Sequence, residues 1–184
     1  MFSAAVERAL CAALEAHAGQ VRKGSGVPYA VHPLHAALIV ARWGFDDETI
    51  QAALLHDVVE DCPGWTADRL HAEFGPEVAS VVLELTEDKR LPWEERKERA
   101  IAAVPELSQR ACAVKAADKL HNLFTLARAL EGTSDAGDVW ARFKGGRDRT
   151  LAKDRRLVAA LAQRLGVEPA RELAQALRAV ETAG

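Results

Sequence analysis

The sequence predicts an all-α protein. Ala, Leu, Glu and Arg dominate its 184 residues, and all four favour helices. Runs of β-branched residues are short, and no window alternates apolar and polar residues with the period of two that a half-buried strand shows. A chain of this length fits one domain with a hydrophobic core. We therefore expect residues 1–184 to form a single domain, with a core over about 3–130 and C-terminal helices over about 138–181.

Helical periodicity and the breaks between helical segments define the expected elements. We predict helices over about residues 3–18, 32–43, 47–60, 66–73, 76–86, 93–103, 107–130, 138–164 and 168–181, with bounds good to about 2–4 residues. Gly24-Ser25-Gly26-Val27-Pro28 separates the first two helices, and Gly44 ends the second. Asp46 or Asp47 can serve as the N-cap of the third helix.

Turn residues also delimit the middle of the chain. Pro63-Gly64 ends the third helix, and Thr66 is placed to cap the fourth. Phe74-Gly75-Pro76 then separates the fourth helix from the fifth. The stretch from Gly132 to Gly137 resembles a linker, but it is too short to separate two domains. We find no internal repeat, which supports one helical domain.

Composition and charge exclude several classes of protein. A formal net charge of −3 argues against a general nucleic-acid binder, which is usually basic. No apolar run approaches the ~18 residues of a membrane helix, and charged residues within the first twenty exclude a signal-peptide core. Cys11, Cys62 and Cys112 lie far apart with no CxxC pattern, as expected for reduced thiols in the cytoplasm.

The most informative segment is Leu54-Leu55-His56-Asp57-Val58-Val59-Glu60-Asp61. It places one histidine and three carboxylates in an otherwise apolar helical run, and burying an unpaired charge costs several kcal/mol. A divalent cation would neutralise such a group. On a helix, adjacent residues project about 100° apart, so His56 and Asp57 can both reach an ion above the groove between them.

Further ligands must come from other parts of the fold. His32 is a candidate because it opens a helix with Pro33 at the first helical position. Asp118 is another, and we expect it to share one helix face with Lys115 and Asn122. Two imidazoles and two carboxylates suit Mn²⁺, Fe²⁺ or Zn²⁺. Coordination positions left for water would make such a site catalytic.

Simpler explanations exist for each residue taken alone. A His-Asp pair on a helix is more often a surface pair or a satisfied core pair than a metal site, and His32 alone could be a helix-start residue. Asp118 could simply pair with Lys115 or Lys119, and Arg22-Lys23 could be a solvated pair. We assign His17, His71 and His121 to surface or packing roles. The joint order His, His-Asp, Asp is what favours the metal hypothesis.

That order resembles the HD superfamily of metal-dependent phosphohydrolases. The resemblance is most specific to the RelA/SpoT-type alarmone hydrolase domain and the stand-alone small alarmone hydrolases. It is carried by Q-x-R-K at Gln20–Lys23, P-Y-x-x-H-P at Pro28–Pro33, A-A-L-L-H-D-x-x-E-D at Ala52–Asp61, F-G-x-E-V-A at Phe74–Ala79, a T-D-D-K-x-L-P-like segment at Thr86–Pro92 followed by E-R-K at Glu95–Lys97, and a K-L-A-D-K-L-x-N-L-like segment at Lys115–Leu123.

The resemblance implies a set of roles. His32, His56, Asp57 and Asp118 would hold one metal ion, Mn²⁺ in the first instance, with Fe²⁺, Zn²⁺ or another divalent cation also suited. Glu60 and Asp61 fall on the family's catalytic acidic pair, which positions and activates the attacking water. Arg22 and Lys23 fall on basic residues near the nucleotide, Asn122 on a substrate-contacting asparagine, and Arg147 on a family arginine. Because a nucleotide with two pyrophosphate groups is strongly anionic, we expect Lys89 and Lys115 to complete the set of substrate-binding residues. The implied reaction is hydrolysis of the 3′-pyrophosphate of ppGpp or pppGpp to GDP or GTP and pyrophosphate.

One departure from the pattern leaves alternatives open. The small alarmone hydrolases have an Arg and, four residues later, a Tyr that contacts the nucleotide; here Arg147 aligns with the Arg, but the second position is Leu151. An HD phosphohydrolase acting on another nucleotide or phosphoester is therefore one alternative. A catalytically silent nucleotide-sensing domain is the second, although the presence of Glu60 and Asp61 speaks against it.

Overall fold

The computed structural model describes residues 3–183, and most of them are helical. The helices are α1 Ala4–Ala16, α2 Val31–Arg42, α3 Asp47–Leu55, α4 Val58–Asp61, α5 Ala67–Leu85, α6 Trp93–Ala102, α7 Gln109–Glu131, α8 Ala136–Trp140, α9 Gly146–Ala162 and α10 Val167–Ala183, with a 3₁₀ turn at Val104–Glu106. Within residues 3–183 the only β-type pairing is an isolated antiparallel bridge between Val21 and Pro28. The all-α prediction is confirmed. None of the helices described here is both long and apolar enough to span a bilayer.

Capping residues fix the starts of α3 and α5 as the sequence predicts. The carboxylate of Asp46 accepts a hydrogen bond from the backbone N–H of Thr49 (3.1 Å), so Asp46 rather than Asp47 is the cap of α3. The hydroxyl of Thr66 accepts one from the N–H of Arg69 (3.2 Å) at the start of α5. Each cap satisfies a donor that a helix start would otherwise leave unpaired.

Two predicted helices are wrong in extent. The helix predicted over 47–60 is interrupted at His56-Asp57, which separates α3 from α4. The helix predicted over 138–164 is two helices, because the chain turns over residues 141–145 and Gly146 adopts φ +61°, a conformation disfavoured for other residues. Conversely, the segments predicted over 66–73 and 76–86 are joined in α5 across a kink at Gly75, where φ is +83°.

The predicted metal ligands lie on or beside helices α2, α3 and α7, which pack together in the core. Helix α3 packs against α1, α2 and α5, and α7 packs against α2, α3 and α10. Leu54, Leu55 and Val58 are buried around the His56-Asp57 break. Because apolar side chains surround the break on the inside, the polar groups of His56 and Asp57 are held at one edge of the core.

The C-terminal segment folds back onto this core. Helix α10 packs along α7, and α9 packs on α10. The buried side chain of Asp154 on α9 pairs with Lys119 on α7 (Nζ to Oδ1, 2.6 Å). In the turn between α8 and α9, the backbone carbonyl of Arg142 accepts a hydrogen bond from Lys23. The Arg142 guanidinium lies against Gly24. The turn between α1 and α2 is thus attached to the C-terminal segment.

Candidate metal centre

Three helices bring two imidazoles and a carboxylate together. His32 lies in the first turn of α2, His56 directly follows α3, and Asp118 lies in the middle of α7. One ligand atom from each of these side chains lies within 4.8 Å of the other two. Asp57 adds a second carboxylate, with its Oδ2 3.2 Å from His56 Nε2 and 3.7 Å from His32 Nε2. The structure therefore brings together all four residues that the sequence singles out as metal ligands.

Hydrogen bonds on the outer nitrogens orient both imidazoles. His56 Nδ1 donates to the backbone carbonyl of Ala53 (2.8 Å), which leaves Nε2 pointing to the carboxylates. His32 Nδ1 lies 2.8 Å from Nδ1 of His121, and its Nε2 lies 3.2 Å from Asp118 Oδ1. A metal-binding histidine is usually held in this way through its other nitrogen.

The electrostatics of the cluster fit a cation. His56 Nε2 is buried and makes no hydrogen bond, although Asp57 Oδ2 is within 3.2 Å. Burial acts to lower the pKa of His56, but the carboxylate of Asp57 outweighs it and raises that pKa to about 9. Burial likewise opposes ionisation of Asp57 and Asp118, yet the imidazoles of His56 and His32 hold their pKa values below the usual range. A nitrogen and oxygen donor set that favours positive charge suits a divalent transition-metal ion.

Tyr29 also belongs to this cluster. Its hydroxyl donates to Asp57 Oδ2 (2.6 Å), and its ring lies 4.7 Å, centroid to centroid, from that of His17. Burial, followed by the nearby carboxylate of Asp57, raises the pKa of Tyr29, which therefore stays a donor. The hydrogen bond fixes one oxygen of a proposed ligand.

A polar cavity of about 180 Å³ is lined by His32, His56, Asp57 and Asp118. Arg22 Nη2 donates to Asn122 Oδ1 (2.7 Å), and Asn122 Nδ2 donates to Asp118 Oδ1 (2.5 Å), so a chain of hydrogen bonds leads from Arg22 to one of the predicted metal ligands. Lys97 and Lys115 bring further positive charge to the wall. Such a cavity can accept a small, strongly anionic ligand.

Glu87 sits among these cations as their counter-ion. Its carboxylate is paired with Lys97 (2.7 Å) and Arg96 (3.0 Å), and Lys115 lies 4.0 Å away. Its backbone N–H also donates to Glu60 Oε2 (3.3 Å). Glu87 thus connects the lysine side chains of the cavity wall to Glu60, an acidic residue that lines the same cavity.

The two acids that the sequence singles out as catalytic differ in environment. Glu60 lines the cavity, and burial raises the pKa of its carboxyl group. Asp61 lies outside the cavity lining, and its carboxylate contacts the ammonium group of Lys89.

The six predicted substrate-binding residues also divide into two groups. Arg22, Lys115 and Asn122 line the cavity, as described above. Lys89 reaches Asp61 instead, Lys23 donates to the Arg142 carbonyl, and Arg147 lies 3.5 Å from Asp148 on the surface. The last three are not part of the cavity wall.

Comparison with known protein families identifies the family of the chain. A family model described as the HD domain matches residues 9–168. The chain belongs to the HD-domain family. The resemblance of its sequence motifs to that superfamily is thereby confirmed.

Relatives of this HD domain carry informative names. It is 44% identical over 127 residues to guanosine-3′,5′-bis(diphosphate) 3′-pyrophosphohydrolase MESH1 of Xenopus tropicalis, covering 67% of this chain and 70% of the relative. It is 34% identical over 163 residues to the Haemophilus influenzae protein named guanosine-3′,5′-bis(diphosphate) 3′-pyrophosphohydrolase, covering 85% of this chain but 22% of that longer protein. A solved structure, described as a metazoan ortholog of SpoT that hydrolyses ppGpp, superposes with a TM-score of 0.82 at 31% identity and covers 97% of this chain and 96% of the other.

Some features of this cluster go beyond what the sequence predicts. The sequence predicts a surface or packing role for His121; it is buried, and its Nδ1 also lies 2.8 Å from Nδ1 of His32, a predicted metal ligand. Its position three residues after Asp118, on the same face of α7, was the available signal. Tyr29 and Lys97 lie within the quoted motifs, yet no spacing rule reveals that Tyr29 reaches Asp57 from 28 residues away.

Proposed function

We propose that this HD domain is a metal-dependent hydrolase that removes the 3′-pyrophosphate of ppGpp or pppGpp, giving GDP or GTP and pyrophosphate. The observation that carries the proposal is the convergence of His32, His56 and Asp118 at the base of a cavity walled by cations. Relatives named as 3′-pyrophosphohydrolases of the same nucleotide support this choice of substrate.

His32, His56, Asp57 and Asp118 would hold one divalent cation, which we propose to be Mn²⁺. The mixed nitrogen and oxygen donors also suit Fe²⁺ or Zn²⁺. When bound, such an ion polarises a phosphoryl oxygen and lowers the pKa of water.

Removing one ligand tests the site directly: we expect His56→Ala and Asp118→Ala each to lose stoichiometric Mn²⁺ by metal analysis. His71→Ala, which changes an exposed histidine on α5, should keep it. Full metal content in both ligand variants would overturn the assignment.

The cavity wall would bind the phosphates. Arg22, Lys97 and Lys115 offer positive charge, and Asn122 offers amide donors. The hydrogen bond from Arg22 to Asn122 holds these two side chains together in the cavity wall. Because these groups are positioned before substrate arrives, little reorganisation is needed when a pyrophosphate group enters.

Glu60 is suited to move a proton during the reaction. It lines the cavity, and its raised pKa allows the carboxyl group to accept and return a proton closer to neutral pH. We propose that Asp61 acts at the rim, where it holds Lys89 near Glu60, with Lys89 Nζ 4.0 Å from Glu60 Oε1. Asp61 would then influence the proton carried by Glu60 through Lys89.

A turnover screen tests the substrate. Purified protein loaded with Mn²⁺ is assayed against ppGpp, pppGpp, NADPH, deoxynucleoside triphosphates and simple phosphoesters, with released pyrophosphate and phosphate measured separately. We expect ppGpp and pppGpp to be consumed with release of pyrophosphate. Turnover of another compound with ppGpp left intact would contradict the alarmone assignment.

One observation keeps a second candidate, an HD phosphohydrolase acting on a different nucleotide. Leu151 is 1% exposed and packs in the core, so the position that carries a nucleotide-contacting Tyr in small alarmone hydrolases offers no ring to a base here. Loss of such stacking corresponds to about 1–3 kcal/mol, or about 5–150-fold in affinity. Weak preference for guanine over adenine analogues in the same screen is therefore expected.

A further inference from the structure

Among residues 3–183, His121 is the one whose side chain lies within hydrogen-bond distance of Nδ1 of His32. The two Nδ1 atoms are 2.8 Å apart, both residues are at most 4% exposed, and the ring centroids are 5.0 Å apart. Two nitrogens at this distance share one proton, so one ring donates and the other accepts. Which ring donates determines which nitrogen of His32 carries a lone pair.

The direction of this hydrogen bond follows from the proposed metal site. His32 Nε2 lies 3.2 Å from Asp118 Oδ1, on the side of the ligand cluster. An imidazole nitrogen that binds a metal carries no proton, so a neutral His32 must carry its proton on Nδ1. That N–H can only point at His121 Nδ1, which must then be unprotonated.

We propose that His121 is a positioning residue for the metal centre: its Nδ1 accepts the Nδ1–H of His32 and so holds the Nε2 lone pair of His32 toward the cation. His121 itself then carries its proton on Nε2. His121 does not touch the metal or the substrate and acts only through His32. The inference rests on the proposed function, because it requires that His32 is a metal ligand.

Substitutions that separate packing from hydrogen bonding test the proposal. His121→Phe keeps a ring of similar size but removes the acceptor, whereas His121→Asn places an acceptor oxygen the same number of bonds from Cα as the original Nδ1. We expect His121→Phe to weaken Mn²⁺ binding to the metal-stripped protein by about 10–100-fold, as for other partners of metal-bound histidines. His121→Asn should restore most of the affinity.

His35→Phe is the matched control. His35 is exposed, and its ring meets that of His121 edge-on at 4.8 Å on the side of the surface. This substitution changes a neighbouring imidazole without touching His32, so Mn²⁺ affinity should stay at the wild-type value. Free Mn²⁺ is measured by its EPR signal, and far-UV circular dichroism checks that each variant is folded.

The outcomes distinguish this inference from the proposed function. Wild-type affinity in folded His121→Phe, or an equal loss in His121→Phe and His121→Asn, would overturn the positioning role and leave the metal site standing. Failure of the wild-type protein to bind Mn²⁺, Fe²⁺ or Zn²⁺ would overturn both. A measurement on the unmodified protein avoids folding defects: in the Zn²⁺-loaded form, ¹⁵N NMR of the imidazoles should show His32 protonated on Nδ1 and His121 on Nε2. The opposite tautomer of His121 would exclude its role as acceptor.

Discussion

Glu60 and Asp61 are adjacent in the sequence but differ in what surrounds them. The Glu60 carboxylate faces the cavity, where it accepts from the Glu87 backbone (3.3 Å) and lies 3.7 Å from Arg96. Asp61 is turned toward Lys89 at the rim. The sequence predicts the same role for both acids, but adjacent residues of helix α4 project about 100° apart, so only Glu60 faces the cavity.

The first prediction at this scale concerns Glu60. Glu60→Gln keeps the shape of the side chain but removes the group that exchanges a proton, so we expect kcat to fall by about 10²–10⁴-fold while Mn²⁺ content is unchanged. Steady-state kinetics and metal analysis on the same preparation measure both. Glu73→Gln, an exposed change on α5, serves as control. A near-normal kcat for Glu60→Gln would reduce this residue to a structural acid.

The second prediction compares two adjacent cations. Arg22 lines the cavity, whereas Lys23 points to the Arg142 carbonyl. Loss of a charged hydrogen-bond donor to a phosphate costs about 1.5–3 kcal/mol, so Arg22→Ala should raise KM for ppGpp by about 10–150-fold, with a smaller effect on kcat. Lys23→Ala should raise KM much less. Equal effects would show that Lys23 reaches the substrate after all.

At the scale of elements, α3 carries His56 at its C-terminal end and is capped by Asp46 at its start. Asp46 Oδ2 also accepts hydrogen bonds from Nε (3.2 Å) and Nη2 of Arg110 on α7. The hydrogen bond from Arg110 and those from Thr49 outweigh desolvation and hold the pKa of Asp46 at about 2, below the ordinary 3.8. The start of α3 therefore depends on an ionised carboxylate.

The third prediction follows from this cap. Asp46→Ala should lower the free energy of unfolding at pH 7 by about 1 kcal/mol, whereas Asp47→Ala, which removes no cap, should change it little. Because the pKa of Asp46 is lower in the folded state, its contribution is complete above the unfolded-state pKa and is lost as the pH falls toward 2. Urea unfolding of both variants at several pH values should show the difference between Asp46→Ala and wild type shrinking below about pH 4. A difference that grows in acid would contradict the assignment.

At the scale of the whole molecule, the C-terminal helices are joined to the helix that carries Asp118. We infer that residues 3–183 unfold as one unit, because α10 packs along α7 and the Lys119–Asp154 pair is largely buried between α7 and α9. Burial acts to lower the pKa of Lys119, but Asp154 outweighs it and raises that pKa, so the ammonium group stays charged.

The fourth prediction tests this connection. Asp154→Asn leaves the buried charge of Lys119 without its partner, and we expect a loss of about 3–5 kcal/mol in the free energy of unfolding. Asp148→Asn, on the exposed side of the same helix, should be close to neutral. Denaturant unfolding should show one transition in each protein. Two separate transitions in the wild type would show that the C-terminal helices are an independent unit.

The sequence predicts some of this architecture and not the rest. Helix starts with a local cap, such as Asp46 and Thr66, are predictable because the interaction spans three residues. The sequence predicts one helix over 138–164, although Gly145-Gly146 is a local signal for the break before α9. What this local signal does not reveal is a tertiary contact: a Cβ on Gly145 would lie 2.9 Å from the Trp93 ring, which belongs to a distant segment. The same holds for the contact between His32 and His121.

The left-handed backbone conformation of Gly24 has an evolutionary consequence. Gly24 adopts φ +88°, which strains most side chains, whereas the Arg142 guanidinium beside it is the end of a flexible side chain and can move away from a new Cβ. Among relatives that share this turn, we expect position 24 to depart from glycine chiefly as Asn or Asp, which tolerate positive φ better than other side chains. Restricted variation at this turn would then record, across lineages, a backbone constraint that lies outside the quoted sequence motifs.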